Sequence, residues 1–271
     1  MTEAVPPRIR AAIEAALDAV EREERVGIVF AVESGSRAWG FPSPDSDWDL
    51  RFVYARPTLW HLSLTPGRDV IERALPDDID LAGWDMRKAL NLVLSGNVAL
   101  REWLRSPIVY RAEPALFAAM RDLAAAIPAR ASAAHHYRRL AERVIARYLR
   151  EGEAVNLKKY LYVLRPVLAL RWLRENPAGD PPMDLPGLLA GVTLAGDAQV
   201  ELDRLLKMKA RTAELGHGPR LPRLDALIAT ELEVAPRLKP DDADAFREAA
   251  QAFMLRCTAW ADGRVAGSPA T

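Results

Sequence analysis

The strongest constraint on the fold is a change in hydrophobic pattern at Trp84. Between Val26 and Trp84 the chain carries short apolar or alternating runs of the strand type, and after Trp84 the apolar residues recur every three or four positions, as in helices. Strand patterns confined to the first third of a chain, with helical patterns in the rest, indicate an α+β fold. We therefore predict a small mixed sheet with flanking helices, followed by a helical C-terminal bundle.

The predicted elements follow from these patterns and from the Pro- and Gly-rich breaks between them. Strands are expected over 26–32, 48–54, 69–74 and 79–81. Helices are expected over 7–25, 86–95, 98–104, 115–127, 131–150, 155–175, 199–215, 223–234 and 241–261. The corresponding domains are residues 1–127, residues 128–262 and a disordered tail over 263–271, with the first boundary placed between Arg111 and Ser132.

Charge and cysteine usage exclude several classes of protein. The 271 residues include 37 Lys or Arg and 37 Asp or Glu, so nucleic acid cannot be bound through bulk positive charge, although a local basic face can do so. The single cysteine, Cys257, excludes an intramolecular disulfide and a Cys-based zinc site. The N-terminus lacks the apolar core of a secretory signal, and no apolar run approaches about 20 residues. We expect a cytoplasmic protein with no membrane partner.

The residues with clear chemical potential follow the first predicted strand. Gly35 and Ser36 end that strand, where a glycine lets backbone approach a bulky ligand and a turn can direct N–H groups at a phosphate. Asp47 and Asp49 begin the next strand at positions i and i+2, so both side chains leave the same face, with Cα atoms roughly 6.5 Å apart. Such carboxylates repel each other unless they share divalent cations. Two metals about 4 Å apart can bridge a triphosphate and activate an attacking hydroxyl.

This layout resembles the signature of the DNA polymerase beta nucleotidyltransferase superfamily. The string GSRAWGFPSPDSDWDLRFVY resembles one branch in particular, the RNA-repair-pathway DNA polymerase beta family. The later strings DIDLAGWDMRKAL, REWLRSPIVY and KKYLYVLRPVLALRWL are also similar to that branch, so the resemblance extends from about Val26 to Arg174. It implies a minimal nucleotidyltransferase head over residues 1–127 and metal-dependent transfer of a nucleoside monophosphate from an NTP, with Mg²⁺ or Mn²⁺ as the cofactor.

The superfamily resemblance also implies a third carboxylate from a later strand. The candidates are Asp77, Asp78, Asp80 and Asp85. Asp77 and Asp78 follow a proline in a predicted turn, where Asp is common for local reasons, and Asp85 precedes a helix that it can cap. Asp80 stands between two apolar strand residues, so we favour it as the third metal ligand beside Asp47 and Asp49.

Further side chains are candidates for nucleotide binding. The predicted set is Gly35, Ser36, Arg37, Arg51, Lys88, Lys158 and Tyr160. Several of them also have structural interpretations. Arg37 can contact a phosphate or pair with Glu33, and Arg51 can contact the triphosphate or neutralise the carboxylates of its own strand. Ser36 can cap a short helix, and Tyr160 can hold a base or fill the core.

The acceptor of the transferred group is less constrained. Four arginines recur along one face of a predicted helix, and they can contact a phosphate backbone or form a solvated face. They are Arg139, Arg143, Arg147 and Arg150. The family resemblance favours an RNA end or a tRNA as acceptor. The alternatives are a small hydroxylated molecule, a protein side chain, or a nucleotide-binding regulator without turnover.

Overall fold

A computed structural model of the chain describes residues 5–65, 67–149, 154–211 and 216–266. These residues form two compact units. The sheet unit comprises the described residues of Met1–Gly35, Asp47–Pro128 and Asp242–Thr271, and the helical unit comprises those of Ser36–Ser46 and Ala129–Asp241. No helix of the described residues is long and apolar enough to cross a membrane.

The strands and helices alternate early in the chain, and helices predominate later. The strands are β1 Gly27–Glu33, β2 Trp48–Ala55, β3 Val70–Leu75, β4 Ile79–Asp85, β5 Val109–Ala112, β6 Ala154–Asn156 and β7 His217–Pro219. The helices are α1 Pro7–Glu24, α2 Thr58–His61, α3 Met86–Leu94, α4 Val98–Trp103, α5 Pro114–Ala126, α6 Arg130–Tyr148, α7 Leu157–Glu175, α8 Leu185–Ala190, α9 Gly196–Arg211, α10 Pro222–Glu233 and α11 Arg247–Ala266. A 3₁₀ turn, Asp244–Phe246, precedes α11.

A five-stranded mixed sheet forms the centre of the sheet unit. Its strand order is β3-β4-β2-β1-β5. The β2–β4 pair is parallel, and the other pairs are antiparallel. β1 is buried along its whole length, as expected for a central strand with apolar layers on both faces. The predicted α+β class, with a mixed sheet and flanking helices followed by helices, is confirmed.

Two apolar clusters cover the two faces of this sheet. On one face α1 contributes Ile13 and Leu17, which pack with Leu50 and Leu81 of the strands. On the other face α3, α4, α5 and α11 contribute residues that pack with Val29 and Val53. Helices therefore cover the apolar residues on both faces of the sheet.

The last helix belongs to the sheet unit, whereas we predicted it in the helical domain. α11 places a set of small and apolar residues at helical spacing against the sheet, and this set is fully or nearly buried. Its members are Ala250, Phe253, Met254, Cys257 and Ala261. Residues 263–266 of the predicted tail continue α11, and residues 267–271 lie outside the described residues.

The helical unit is built around α7, whose side chains are buried on several sides of the helix. α7 packs against α6 and α10, and β6 pairs with β7 in a short antiparallel ribbon. Asp241 follows α10, and its carboxylate accepts hydrogen bonds from the backbone N–H groups of Ala131 and Ser132 at 3.3 and 2.9 Å. Asp241 thus caps α6, and the last helix starts at Arg247 instead of the predicted residue 241.

Candidate active site

A buried glutamate organises the polar ends of β1 and β2. Glu33, the last residue of β1, is fully buried. Its Oε1 atom accepts hydrogen bonds from the backbone N–H groups of Gly35 at 3.2 Å and Asp49 at 2.9 Å, and its Oε2 atom accepts one from the Tyr110 hydroxyl at 2.6 Å. Burial raises the pKa of Glu33, and these hydrogen bonds oppose that rise. The carboxylate thereby fixes both the turn after β1 and the start of β2.

Gly35 is required by the position of the Asp49 side chain. A Cβ atom at residue 35 would overlap the Asp49 carboxylate, so any other residue here would force the Asp49 side chain to move. The backbone N–H of Ser34 also donates to the carbonyl oxygen of Asp49 at 2.9 Å. The glycine of the motif therefore provides the space in which the Asp49 carboxylate lies.

Asp49 and Asp80 are direct neighbours on the parallel strands β2 and β4. Arg51 bridges them, because its Nη2 atom lies 3.2 Å from Asp49 Oδ1 and 2.7 Å from Asp80 Oδ2. The Nη1 atom of the same guanidinium donates to the Asp80 carbonyl oxygen at 2.9 Å. The salt-bridge interpretation of Arg51 therefore describes this structure. The two carboxylates of adjacent strands converge on a single cationic group.

The electrostatics of Asp49 show that the acidic residues interact. Burial is the main cause that raises the pKa of Asp49, and the nearby carboxylates of Asp80 and Asp47 raise it further. Arg51 opposes the rise. Asp47 is exposed at the start of this strand region. The charges of Asp47 and Asp80, the other two carboxylates that we predicted as metal ligands, thus act on Asp49.

The other candidates for the third carboxylate have different roles. Asp85 is 1% exposed, and its Oδ1 atom accepts the backbone N–H of Arg87 at 2.9 Å, so it caps α3. It lies five positions after Asp80 on β4, an odd separation that places the two side chains on opposite faces of the sheet. Asp77 pairs with Arg8 at 2.7 Å in the β3–β4 turn.

Asp78 also belongs to this turn. Both Asp77 and Asp78 have positive φ, at 64° and 54°, a conformation that Asp adopts more readily than most residues. The carbonyl oxygen of Asp78 accepts the backbone N–H of Trp48 at 2.9 Å. Among the four candidates, Asp80 alone has a carboxylate joined to that of Asp49 through a shared cation.

Lys88 lies at the opposite end of β4 from the acidic residues. Its Nζ atom pairs with Asp69 Oδ1 at 3.0 Å, and the Asp69 carbonyl oxygen accepts the backbone N–H of Asp85. Asp80 is five residues from Asp85, which corresponds to roughly 16 Å along a strand. The structure therefore does not bring Lys88 to the carboxylates, contrary to its inclusion among the nucleotide-binding residues.

The loop that follows Gly35 belongs to the helical unit and is held by hydroxyl and aromatic contacts. Ser36 Oγ donates to Ser46 Oγ at 3.0 Å, and Arg37 Nη2 donates to the Ser46 carbonyl oxygen at 2.7 Å. The Trp39 ring lies under the Arg165 guanidinium, 4.4 Å from the ring centroid. These contacts close the loop on itself at Ser36 and Ser46 and anchor it on α7.

Two further candidates, Lys158 and Tyr160, lie on α7. Tyr160 is fully buried, and its hydroxyl donates to Asp225 Oδ1 at 2.9 Å while it accepts the Leu221 backbone N–H at 3.1 Å. Burial raises the pKa of Tyr160 to about 12. A ring with no exposed face cannot stack on a base, so Tyr160 is a core residue and not the predicted nucleotide contact. Lys158 is half-buried, and its charge lowers the pKa of Lys209 on α9.

Three polar residues of these sites were not among those predicted. Glu33 and Tyr110 are 77 residues apart and form a buried pair, and Lys209 is buried with its Nζ atom 2.7 Å from Ser43 Oγ. The sequence does contain a signal for Glu33, because a charged residue at the end of an otherwise apolar strand is a candidate for a specific polar role. Tyr110 and Lys209 give no such signal, because their contacts are long-range.

The donor set suits a hard divalent cation. In the part of the chain that the structure describes, no group of three or more His, Cys, Asp or Glu side chains is already arranged around a metal position. The carboxylates of Asp49 and Asp80 nevertheless share one cationic group, the Arg51 guanidinium. Carboxylate oxygens are the ligands that Mg²⁺ prefers, so a cation that replaced Arg51 between them would find suitable donors.

Three of the four arginines of the predicted basic stripe lie exposed on α6. Arg139, Arg143 and Arg147 are accessible to solvent, and Arg150 lies outside the described residues. Arg139 Nη1 is 3.5 Å from Glu142 Oε2, and the Arg147 guanidinium lies 5.0 Å from the centroid of the Tyr148 ring. The stripe is an accessible cationic surface of the helical unit.

Comparison with known proteins identifies the class and then the family. The chain is a member of the nucleotidyltransferase superfamily that is typified by DNA polymerase beta. Residues 9–255 match the model of the RNA repair pathway DNA polymerase beta family, and the chain belongs to that family. The resemblance seen in the sequence motifs is thereby confirmed.

Two relatives illustrate the range of similarity. The uncharacterized protein YcgL of Bacillus subtilis strain 168 is 40% identical over 232 residues, which cover 84% of this chain and 88% of the relative. A crystal structure of a nucleotidyltransferase-like protein from Exiguobacterium sibiricum is 11% identical, with a TM-score of 0.32, and the match covers 95% of this chain and 78% of that one. At that TM-score, the structural likeness carries no weight for the fold.

Proposed function

We propose that this chain transfers a nucleoside monophosphate from an NTP to an acceptor hydroxyl and releases pyrophosphate. The observation that carries the proposal is the in-register pair Asp49 and Asp80, whose carboxylates converge on one cationic group beside the Gly35 turn. The membership of the chain in its family supports the same chemistry. Asp47, Asp49 and Asp80 are the proposed catalytic residues.

The proposed cofactor is Mg²⁺ or Mn²⁺, held by Asp47, Asp49 and Asp80. Bound there, the metal would supply charge neutralisation for the triphosphate and activation of the acceptor hydroxyl. Arg51 neutralises the acidic pair through its two ion pairs. Its guanidinium is a suitable donor for phosphate oxygens once the carboxylates have another cation.

The protein's own hydrogen bonds fix the strand end that carries the Asp49 carboxylate. Glu33 holds the backbone of Gly35 and of Asp49 in place. Preorganised groups of this kind contribute most to phosphoryl transfer, because the reaction depends on position and charge more than on covalent participation by the protein.

An RNA end or a tRNA is the proposed acceptor. The description of the family associates it with RNA repair. The exposed residues Arg139, Arg143 and Arg147 offer a cationic surface that a phosphate backbone can use. Ser36 and Arg37, in the loop after the Gly35 turn, are proposed to contact the nucleotide, as is Lys158 on α7.

The experiment is incubation of the purified chain with each α-labelled NTP, Mg²⁺ and total RNA, followed by separation of labelled RNA, protein and small molecules. We expect label in RNA and its loss on addition of EDTA. Label in protein or in a small molecule would contradict the RNA acceptor, and NTP binding without label transfer would identify a regulator.

Paired variants test the assignment of the carboxylates. Asp80→Asn should reduce turnover by at least the roughly 100-fold that removal of one preorganised electrostatic group costs, with the fold retained. Asp85→Asn is the matched control, because asparagine caps a helix as well as aspartate does. Loss of turnover in Asp85→Asn with normal turnover in Asp80→Asn would show that the assignment is wrong.

A further inference from the structure

Lys209 occupies a position on α9 at which an apolar residue would be expected. It continues the buried face of that helix, which includes Ala198, Leu202 and Leu205, and it is 1% exposed. Burial of an ammonium group is costly, and an apolar side chain of similar size is often at least as stabilising. The charge at this position therefore calls for a role other than stabilisation of the helical unit.

The partner of this ammonium belongs to the motif loop. Lys209 Nζ donates to Ser43 Oγ at 2.7 Å, and Ser43 Oγ lies 3.0 Å from Ser46 Oγ. Ser46 Oγ in turn accepts a hydrogen bond from the Ser36 hydroxyl group at 3.0 Å. A continuous chain of hydroxyl groups therefore joins the buried ammonium to the serine of the Gly-Ser motif.

A count of donors and acceptors fixes the direction of each bond in this chain. Ser46 Oγ accepts from the Ser36 hydroxyl and from the backbone N–H of Ser43 at 2.8 Å. Since a hydroxyl has two acceptor positions, the proton of Ser46 is left to donate to Ser43 Oγ. Ser43 Oγ then accepts hydrogen bonds from both Ser46 and Lys209, and its own hydroxyl group donates a hydrogen bond to Asp45. That hydrogen bond is the main cause that lowers the pKa of Asp45.

The surroundings of Lys209 agree with a functional charge. Burial lowers the pKa of Lys209 to about 8, and the positive charge of Lys158 on α7 lowers it further. Asp45 of the motif loop opposes this shift. The ammonium thus faces one carboxylate and one cation, and its direct hydrogen bond is to a neutral hydroxyl.

We infer that Lys209 is a positioning residue: through the serine hydroxyls of the motif loop it holds Ser36, and the turn that carries it, in place for nucleotide binding. The inference rests on the proposed function for its ligand, although the hydrogen-bond chain itself does not. Loss of Lys209 removes the donor that ties Ser43 Oγ to α9, so the loop that carries Ser43, Ser46 and Ser36 is held less firmly.

The first test compares Lys209→Met with Lys207→Met, which removes an exposed lysine from the same helix. We expect Lys209→Met to keep or increase the free energy of unfolding, since a buried charge is removed. Its KM for the NTP should rise roughly 3- to 10-fold, the range for one lost hydrogen bond, with little change in kcat. A merely structural lysine predicts the reverse: lower stability and an unchanged KM. Lys207→Met should alter neither.

The second test uses Ser43→Ala alone and combined with Lys209→Met. If the two residues act through one chain, the double variant should show the same KM as either single variant. If the rise in KM of the double variant equalled the product of the two single-variant rises, Lys209 and Ser43 would act independently, and the inference would be wrong.

Amide hydrogen exchange of residues 36–46 in the unliganded protein provides a readout that needs no activity. We expect faster exchange in Lys209→Met and Ser43→Ala than in the parent, and parent-like exchange in Lys207→Met. Unchanged exchange in Lys209→Met would refute the positioning role. If the parent neither binds nor consumes any NTP, the proposed function fails, and the exchange data alone decide whether Lys209 holds the loop.

Discussion

Glu33 and Asp49 are joined by a direct hydrogen bond, in which the backbone N–H of Asp49 donates to Glu33 Oε1 at 2.9 Å. The bond links the last residue of β1 to the second residue of β2. Because the same oxygen also accepts the backbone N–H of Gly35, one buried carboxylate determines the positions of both parts of the motif. The geometry of the acidic site therefore depends on a residue that does not belong to the motif.

The Tyr110 hydroxyl is the remaining donor to this carboxylate that the structure identifies, which leads to a first prediction. Tyr110→Phe keeps the ring but leaves Glu33 Oε2 without that bond, so the free energy of unfolding should fall by about 1–3 kcal/mol. The bond favours ionised Glu33, so its removal raises the pKa of this residue further. When the folded protein raises the pKa of a group, the stability that this group contributes to the fold is lost as the pH rises through the raised pKa.

The loss in Tyr110→Phe should accordingly be larger at pH 7 than near the ordinary pKa of 4.5. Urea unfolding at several pH values measures it. Tyr148→Phe, which alters a half-buried residue of α6, serves as the control. An equal loss at all pH values would show that the tyrosine contributes through packing and not through the carboxylate.

Gly35→Ala is a second prediction. The added methyl group would overlap the Asp49 carboxylate, and relief of such overpacking typically costs about 1–3 kcal/mol. Since the displaced group is a proposed metal ligand, affinity for Mg²⁺ and NTP should fall as well, as calorimetry can measure. Gly196→Ala, at a position with open space around the new methyl group, should be neutral or stabilising by up to about 1 kcal/mol. Unchanged ligand affinity in Gly35→Ala would contradict the role of Asp49.

Asp85 provides a third prediction, on stability and pH. Burial is the main cause that raises its pKa above the ordinary value of 3.8, so the charged form is disfavoured in the folded protein. The stability that Asp85 contributes is present below 3.8 and is lost as the pH rises through its raised pKa. Asp85→Asn keeps the cap on Arg87 N–H and removes the charge.

Asp85→Asn should therefore leave the free energy of unfolding unchanged or raise it by up to about 1 kcal/mol at neutral pH, and the advantage should disappear in acid. Thermal unfolding over a pH series, with Asp78→Asn in the exposed turn as the comparison, measures this dependence. If Asp85→Asn instead made the protein less stable than the parent at neutral pH, and this difference vanished in acid, the charge of Asp85 itself would stabilise the fold.

The sequence was sufficient to locate the local elements that have a strong period. Strands β1 and β2 begin and end within one residue of their predicted limits, because an apolar run and a clear alternation each define a strand without help from the rest of the chain. The placement of α11 in the sheet unit was not predictable in this way. The apolar residues of α11 recur at helical spacing, and a helix with such a face can pack on any apolar surface. The sequence therefore does not indicate whether α11 packs on the sheet or on other helices.

The candidate site was predictable only where its residues are close in sequence. The spacing of Gly35, Asp47 and Asp49 is local, and the register of β2 with β4 then brings Asp80 beside Asp49. Tyr110 contacts Glu33 across 77 residues, and Lys209 contacts Ser43 across 166. Such pairs depend on tertiary packing, and a lysine in a helical pattern is normally interpreted as a surface residue.

The basic stripe on α6 gives the last prediction, which concerns the acceptor. A chain with no net charge must concentrate its cations locally to hold RNA, and Arg139, Arg143 and Arg147 form an exposed row on one helix. Each phosphate contact releases counterions, so affinity for RNA should fall steeply with salt. Arg143→Gln combined with Arg147→Gln should weaken RNA binding and reduce the salt slope by about two, or one unit for each lost contact.

A matched pair of substitutions separates this effect from a general change in charge. Arg204→Gln with Lys207→Gln removes the same charge from exposed positions of α9, and it should leave both RNA affinity and the salt slope close to those of the parent. Filter binding of labelled RNA over a salt series gives both quantities, and calorimetry with NTP should show no change in either double variant. If the parent protein shows no salt-dependent RNA affinity, or if both double variants weaken it equally, the α6 stripe does not contact the acceptor, and a small hydroxylated molecule or a protein side chain becomes the better candidate.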